Sequence, residues 1–169
     1  RQRTLAIRVE ALRSLDFVTG ERRCNGERMT SQLLTPPGDP DMTAMAYESM
    51  PFTELLGVVI DRCDDHTLTG RVAWCSTMCT VNGNLHGGFL MAVADSLGAM
   101  LTTRHLPDGA RTSTVSSATN FLRPAPEGIY DVKVELVHAG RRTVVVTTDI
   151  INPAGKVVSR TTQTQAVLT

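Results

Sequence analysis

Aromatic residues are scarce: four Phe, two Tyr and one Trp make up 4% of 169 residues. A core must therefore be built from Val, Leu, Ile, Met and Ala, and a hydrophobic content of 41% is enough for one. Net charge is also missing, since 17 Lys and Arg balance 17 Asp and Glu. No basic field argues for nucleic acid as a partner. No apolar run reaches the roughly 18 residues of a membrane-spanning helix, so no membrane span is expected. Cys24, Cys63, Cys75 and Cys79 match no zinc spacing, and His66, His86, His105 and His138 are scattered, so no metal site is expected. A chain of this length needs no disulfide framework. The expectation is reduced thiols in an intracellular protein, cytoplasmic or mitochondrial.

What is present divides at about residue 45. Residues 1–45 form an N-terminal extension, expected to be partly disordered or loosely packed. Arg1 to Val18 is arginine-rich, but Glu10, Asp16, Glu21 and Glu27 spoil the acid-poor signature of a transit peptide. The start at Arg1, without an initiating Met, suggests a processed or partial chain. Leu34-Thr35-Pro36-Pro37-Gly38-Asp39-Pro40-Asp41 has the composition of a linker. Residues 46–169 look like one folded domain of ordinary size.

Within it, Pro51 to Leu56 is a short helix opened by proline. Gly57–Cys63 and Thr67–Trp74 are strands around the turn Asp64-Asp65-His66. A loop then leads to Gly87-Gly88 and a helix running to His105. Beyond Pro107-Asp108-Gly109 the periodicity changes to two. Four strands follow, over Thr112–Leu122, Ile129–His138, Thr143–Ile151 and Val157–Leu168. Their breaks at Pro124–Gly128, Ala139–Arg141 and Asn152–Gly155 are of hairpin type. Two strands, one long helix and four mostly antiparallel strands make an α+β arrangement, a sheet wrapped around one helix.

The long helix is apolar on nearly every side, with Phe89, Leu90, Met91, Val93, Ala94, Leu97 and Met100, which predicts burial. One carboxylate, Asp95, interrupts it and needs an explanation, because buried charges are rarely unpaired. At the helix start, the first backbone N–H groups have no intrahelical partner, and glycine admits close approach of another molecule. That end favours developing negative charge.

Gly83, Leu85-His86-Gly87-Gly88, Asp95 nine residues after His86, Phe121-Leu122-Arg123-Pro124-Ala125 and Gly140-Arg141-Arg142 together resemble the hotdog-fold acyl-CoA thioesterase superfamily of the phenylacetate-pathway type. The resemblance covers residues 50–168. It implies a hotdog fold, an antiparallel β-sheet around one long central helix, and hydrolysis of an acyl-CoA to a free acid and coenzyme A without metal or redox cofactor. It implies that the Gly87 N–H, helped by Gly88, polarises the thioester carbonyl and that His86 positions it. Asp95 would be nucleophile or general base, and Thr114 would assist. The family often carries Asn six residues before the His; here Thr80 stands there, with Asn82 nearby. Arg141 and Arg142, with Arg123 as a weaker candidate, suit the phosphates of coenzyme A. Two other readings use the same residues: a hydratase or dehydratase of acyl thioesters, or a non-catalytic acyl-CoA-binding module.

Helical rise adds an independent constraint. Eight residues separate Gly87 from Asp95, roughly 12 Å along the axis. An oxyanion donor and an attacking group must meet at one carbonyl. One helix cannot supply both, but two antiparallel copies related by a two-fold axis can. A homo-oligomer, dimer or tetramer, with its site at the interface is therefore expected.

Overall fold

The structure, a computed structural model, describes residues 38–169 and the backbone of two short paired strands, β1 (Arg23–Cys24) and β2 (Glu27–Arg28). The rest of the expected N-terminal extension, up to residue 37, lies outside the described residues. The folded part begins with α1 (Pro40–Ser49) and α2 (Pro51–Leu55). Asp39 accepts the Met42 N–H at 2.9 Å and Pro40 follows it in the first turn, so part of the linker-like stretch is a helix start. The strands are β3 (Val59–Cys63), β4 (Thr67–Ala73), β5 (Arg111–Phe121), β6 (Ile129–Ala139), β7 (Thr143–Ile151) and β8 (Val157–Leu168), and the long helix is α3 (Gly87–Thr103).

The six strands β3 to β8 form one antiparallel sheet in the order β3-β4-β6-β7-β8-β5. The sheet carries α3 on one face. Three of the expected hairpins are present, β3–β4, β6–β7 and β7–β8. The Pro124–Gly128 break is not one: β5 pairs with β8 at the sheet edge, and the chain must return past β8 and β7 to reach β6. Pro124 and Pro126 keep this link extended. It is held by Leu122 N–H to Val158 O at 2.8 Å, Trp74 N–H to Gly128 O at 2.9 Å, and a bond from the Tyr130 hydroxyl to Pro126 O.

The core forms where period two meets period 3.6. Leu68, Val72, Tyr130, Val132, Val134, Val144, Val146 and Ile150 point from the sheet onto Phe89, Leu90, Val93, Leu97 and Leu101 of α3. Each such side chain fully buried is worth about 1.5–3 kcal/mol. Beyond Val158, the apolar floor gives way along β8. From there the residues paired with the inward positions of β7 are Ser159, Thr161, Gln163 and Gln165, all buried.

The expectation that α3 is buried all round needs correction. Gly88, Met91 and Asp95 are exposed, and Ala92 and Ala99 half-buried, along one stripe of the helix. The sheet covers one side only, and the described chain supplies nothing for the other. The thiols also differ from expectation: Cys63 and Cys79 are free, but Cys75 is disulfide-bonded.

Candidate active site

Loop 79–86 sets the start of α3. Its base is an isolated bridge between Cys79 and Leu85, and His86 N–H reaches Met78 O at 2.8 Å. Leu85 N–H reaches Ala125 O at 2.8 Å, and Trp74 Nε1–H donates to Gly83 O at 2.9 Å. His86 then caps the helix: its backbone is extended (φ −65°, ψ 138°) and its Nδ1 accepts the Gly88 N–H at 2.9 Å. A nitrogen that accepts carries no proton, so the ring hydrogen of His86 is assigned to Nε2. The Gly88 amide is thereby occupied. The Gly87 N–H meets no acceptor among the described residues, and it stands at the positive end of the helix. A Cβ on Gly87 would lie 3.0 Å from Phe121 Cζ. The start of α3 therefore sits at the far end of β5.

Asp95 lies two turns on, against the other part of β5. Its Oδ1 accepts two hydrogen bonds, from Gln163 Nε2–H at 2.6 Å and from Thr114 Oγ1–H at 3.0 Å. Its Oδ2 makes none among the described residues. Gln165 Nε2–H donates to Thr114 Oγ1 at 2.9 Å, and Thr112 Oγ1–H donates to Ala166 O at 3.1 Å. The Thr114 hydroxyl has one proton and two acceptors in reach, Asp95 Oδ1 at 3.0 Å and Gln165 Oε1 at 3.2 Å, and the carboxylate is the nearer and the charged one.

The structure thus joins Asp95 with Thr114, and His86 with Gly87 and Gly88. It does not bring these two groups to one point within the chain. Thr80 and Asn82 are exposed on the loop; the Thr80 N–H meets Asn84 O at 2.9 Å, and no hydrogen bond ties either side chain to Asp95 or His86 among the described residues. The arginines separate. Arg141 and Arg142 are exposed in the β6–β7 hairpin, where Arg142 O accepts the Val167 N–H at 2.9 Å. Arg123 donates to Val157 O at 2.6 Å. Val157 and Val167 are ten residues apart on β8, about 33 Å at strand rise, so the arginine groups flank opposite ends of the sheet.

Gln163, Gln165 and Phe121 were not singled out as site residues in the sequence. The signal for the two glutamines is a polar parity in β8, Ser159-x-Thr161-x-Gln163-x-Gln165, but only the pairing with β7 shows that this parity faces the helix. Burial pushes the Cys63 and Cys79 thiols up, which makes neither a ready thiolate nucleophile. Among the described residues no group of three or more His, Cys, Asp or Glu side chains could hold a metal ion, and no helix is long and apolar enough to cross a membrane.

A six-stranded antiparallel sheet carrying one long helix, with the site loop at the helix start, is the hotdog architecture. The profile of the thioesterase superfamily matches residues 82–159. A phenylacetic acid degradation-related protein of Ralstonia eutropha JMP134 is 31% identical, over 69% of this chain and 89% of its own, with a TM-score of 0.65. A mutant thioesterase from Pseudomonas aeruginosa is 26% identical, over 80% and 96%, with a TM-score of 0.70. The protein AziG of S. sahachiroi is 28% identical, over 70% and 96%, with a TM-score of 0.67. A comparison with curated protein sequences finds no match. The chain belongs to the thioesterase superfamily.

Proposed function

We propose that the chain is a thioester hydrolase that cleaves an acyl-CoA to a free carboxylic acid and coenzyme A, working as a homodimer with shared sites. The supporting observation is the tethering of the two half-sites to opposite parts of β5: Gly87 at Phe121 and Asp95 at Thr114. Antiparallel pairing of β5 with its own copy brings the Phe121 end of one strand beside the Thr114 end of the other. The two-fold axis then falls near Ser117 and Ala118. Each site takes Gly87 from one chain and Asp95 from the other.

In this reading the Gly87 N–H and the Nε2–H of His86 hold the thioester carbonyl. Asp95 Oδ2 takes a proton from water as the water oxygen attacks the carbonyl carbon. The oxyanion is held at Gly87, the C–S bond breaks, and the departing thiolate takes a proton to leave as coenzyme A. Direct attack by the carboxylate, with water hydrolysing the resulting anhydride, uses the same atoms. The same pairing sets Arg123 of one copy near Arg141 and Arg142 of the other, where guanidinium forks would meet the phosphates of coenzyme A.

The test is thiol release across a panel of acyl-CoA chain lengths, run beside size-exclusion chromatography. Turnover by an oligomer is expected. An active monomer would overturn the shared site, and an Asp95→Asn variant with full activity would overturn the assigned mechanism.

A further inference from the structure

Gln163 is buried completely, yet its Oε1 has no hydrogen-bond partner. An unpaired buried carbonyl is a cost to the folded state. The helix makes a second concession at the same place. Gly98 stands in the middle of α3, where glycine is a poor helix former, and a Cβ there would lie 2.0 Å from Gln163 Oε1 and 3.1 Å from its Cδ. Gly98 therefore leaves room first of all for the Gln163 amide, with Val146 Cγ2 next at 3.2 Å. Both costs have a single return: Gln163 Nε2–H reaches Asp95 Oδ1 at 2.6 Å.

Resting on the proposed hydrolase reading, we infer that Gln163 is a positioning residue that acts through Asp95, with Gly98 as the notch that seats it. The amide cannot be turned round without setting Oε1 against the carboxylate, so its orientation is dictated by the charge on Asp95. Together with Thr114 it occupies Oδ1 and fixes the carboxylate plane. Oδ2 remains as the only oxygen able to take a proton or attack. A freely rotating carboxylate would present its working oxygen in the right direction only part of the time, and orientation of this kind bears on kcat rather than on substrate binding.

The experiment uses the full chain with Gln163→Met, close in volume and without the donor, alone and combined with Asp95→Asn. Steady-state thiol release and thermal melting are both measured. We expect kcat to fall about 10- to 100-fold, the range for a hydrogen bond to a charged group, with KM changed less than about twofold. The melting temperature should hold or rise, because the unpaired carbonyl is gone. In the Asp95→Asn background the added change should cost nothing further. Unchanged kcat, or an equal loss in both backgrounds, would overturn the inference. If Gln163→Met does not fold, Gln163→Leu likewise removes the donor and the unpaired carbonyl, and must show the same loss in kcat on its own and none in the Asp95→Asn background. Turnover by the wild type with an unaffected variant removes this inference alone, whereas a wild type that releases no thiol from any acyl-CoA removes the hydrolase reading with it.

Discussion

The sheet has two edges, and they are finished in opposite ways. At β3 the edge is closed by the chain itself. Asp39 N–H bonds Ile60 O at 2.7 Å, and Thr43 Oγ1 accepts the Ile60 N–H at 3.0 Å. Gly38 lies so close that a Cβ would fall 2.2 Å from Ile60 O. At β5 no described strand pairs with the outer side. Nine of its eleven residues are exposed, Val115 at 61% and Phe121 at 53%. An open row of N–H and C=O groups is a template for another strand. The closed edge protects the fold. The open one carries Thr114 and Phe121, the two residues to which the half-sites are tied, so in the proposed reading it both completes the assembly and assembles the chemistry.

The largest effects should fall on the half-sites. Asp95→Asn should lower kcat by about 100- to 10,000-fold, the range for a lost general base, without changing the oligomer. Gly87→Pro removes the free N–H while suiting the first helical position, and should cost about 100- to 1000-fold. Mixing the two inactive proteins under exchanging conditions should restore roughly a quarter of wild-type activity, because half the dimers are mixed and one of their two sites is intact. No recovery in a thiol-release assay would break the shared-site model.

The open edge itself is tested by proline. Neighbouring strand residues point their N–H groups in opposite directions, so one of Ser117→Pro and Ala118→Pro spares the bonds to β8 and blocks only the outer side. That variant should stay folded by circular dichroism, elute as a monomer, and lose about 100-fold or more in kcat for want of the partner's donor. The closed edge should answer differently. Thr43→Ala leaves the buried Ile60 N–H unpaired and should lower stability by about 1–3 kcal/mol in urea unfolding, with kcat unchanged below the melting range.

The smallest effect lies in the β3–β4 turn beside the closed edge. Backbone N–H groups of His66 and Thr67, at 2.9 and 2.8 Å, hold the Asp64 carboxyl below the usual carboxylate range. A depressed carboxyl stabilises the fold above its ordinary value, near about 4, and that contribution is lost as pH falls through the lowered value. Asp64→Asn should therefore lower the melting temperature slightly at neutral pH and leave it unchanged in acid, so that the decline with falling pH becomes flatter. A steeper decline would contradict the assignment.

Much of the fold could be read from local pattern. The turn at Asp64–His66, the proline opening α2, and the strands Thr143–Ile151 and Val157–Leu168 follow from turn chemistry and period two. Alternation in β6 correctly put Tyr130, Val132, Val134 and Leu136 on one face. Legibility failed where a residue's surroundings depend on distant pairing. The Pro124–Gly128 link looks like any short hairpin break, because nothing local records that β5 has gone to the far edge. Asp95 looked buried because its helical neighbours are apolar, but helical pattern cannot tell a face covered by the same chain from one left open. Gln163 and Gln165 carry no local signal of burial, because glutamines in a Thr-rich strand resemble any solvated face until the pairing of β8 turns them inward.

The chain by itself determined the elements, the apolar face of the sheet, and the His86-Gly87-Gly88 helix start with Asp95 two turns along. These follow from short-range physics: turn propensity, side-chain period and helical rise. The rise alone, roughly 12 Å over eight residues, already set the two groups too far apart to serve one carbonyl. The tertiary structure decided the strand order, and with it which strand was left at the edge. It also chose the side chains that hold Asp95, seating Gln163 in the notch at Gly98. These depend on contacts between residues far apart in the chain, such as the 68 positions separating Asp95 from Gln163, which no local pattern encodes.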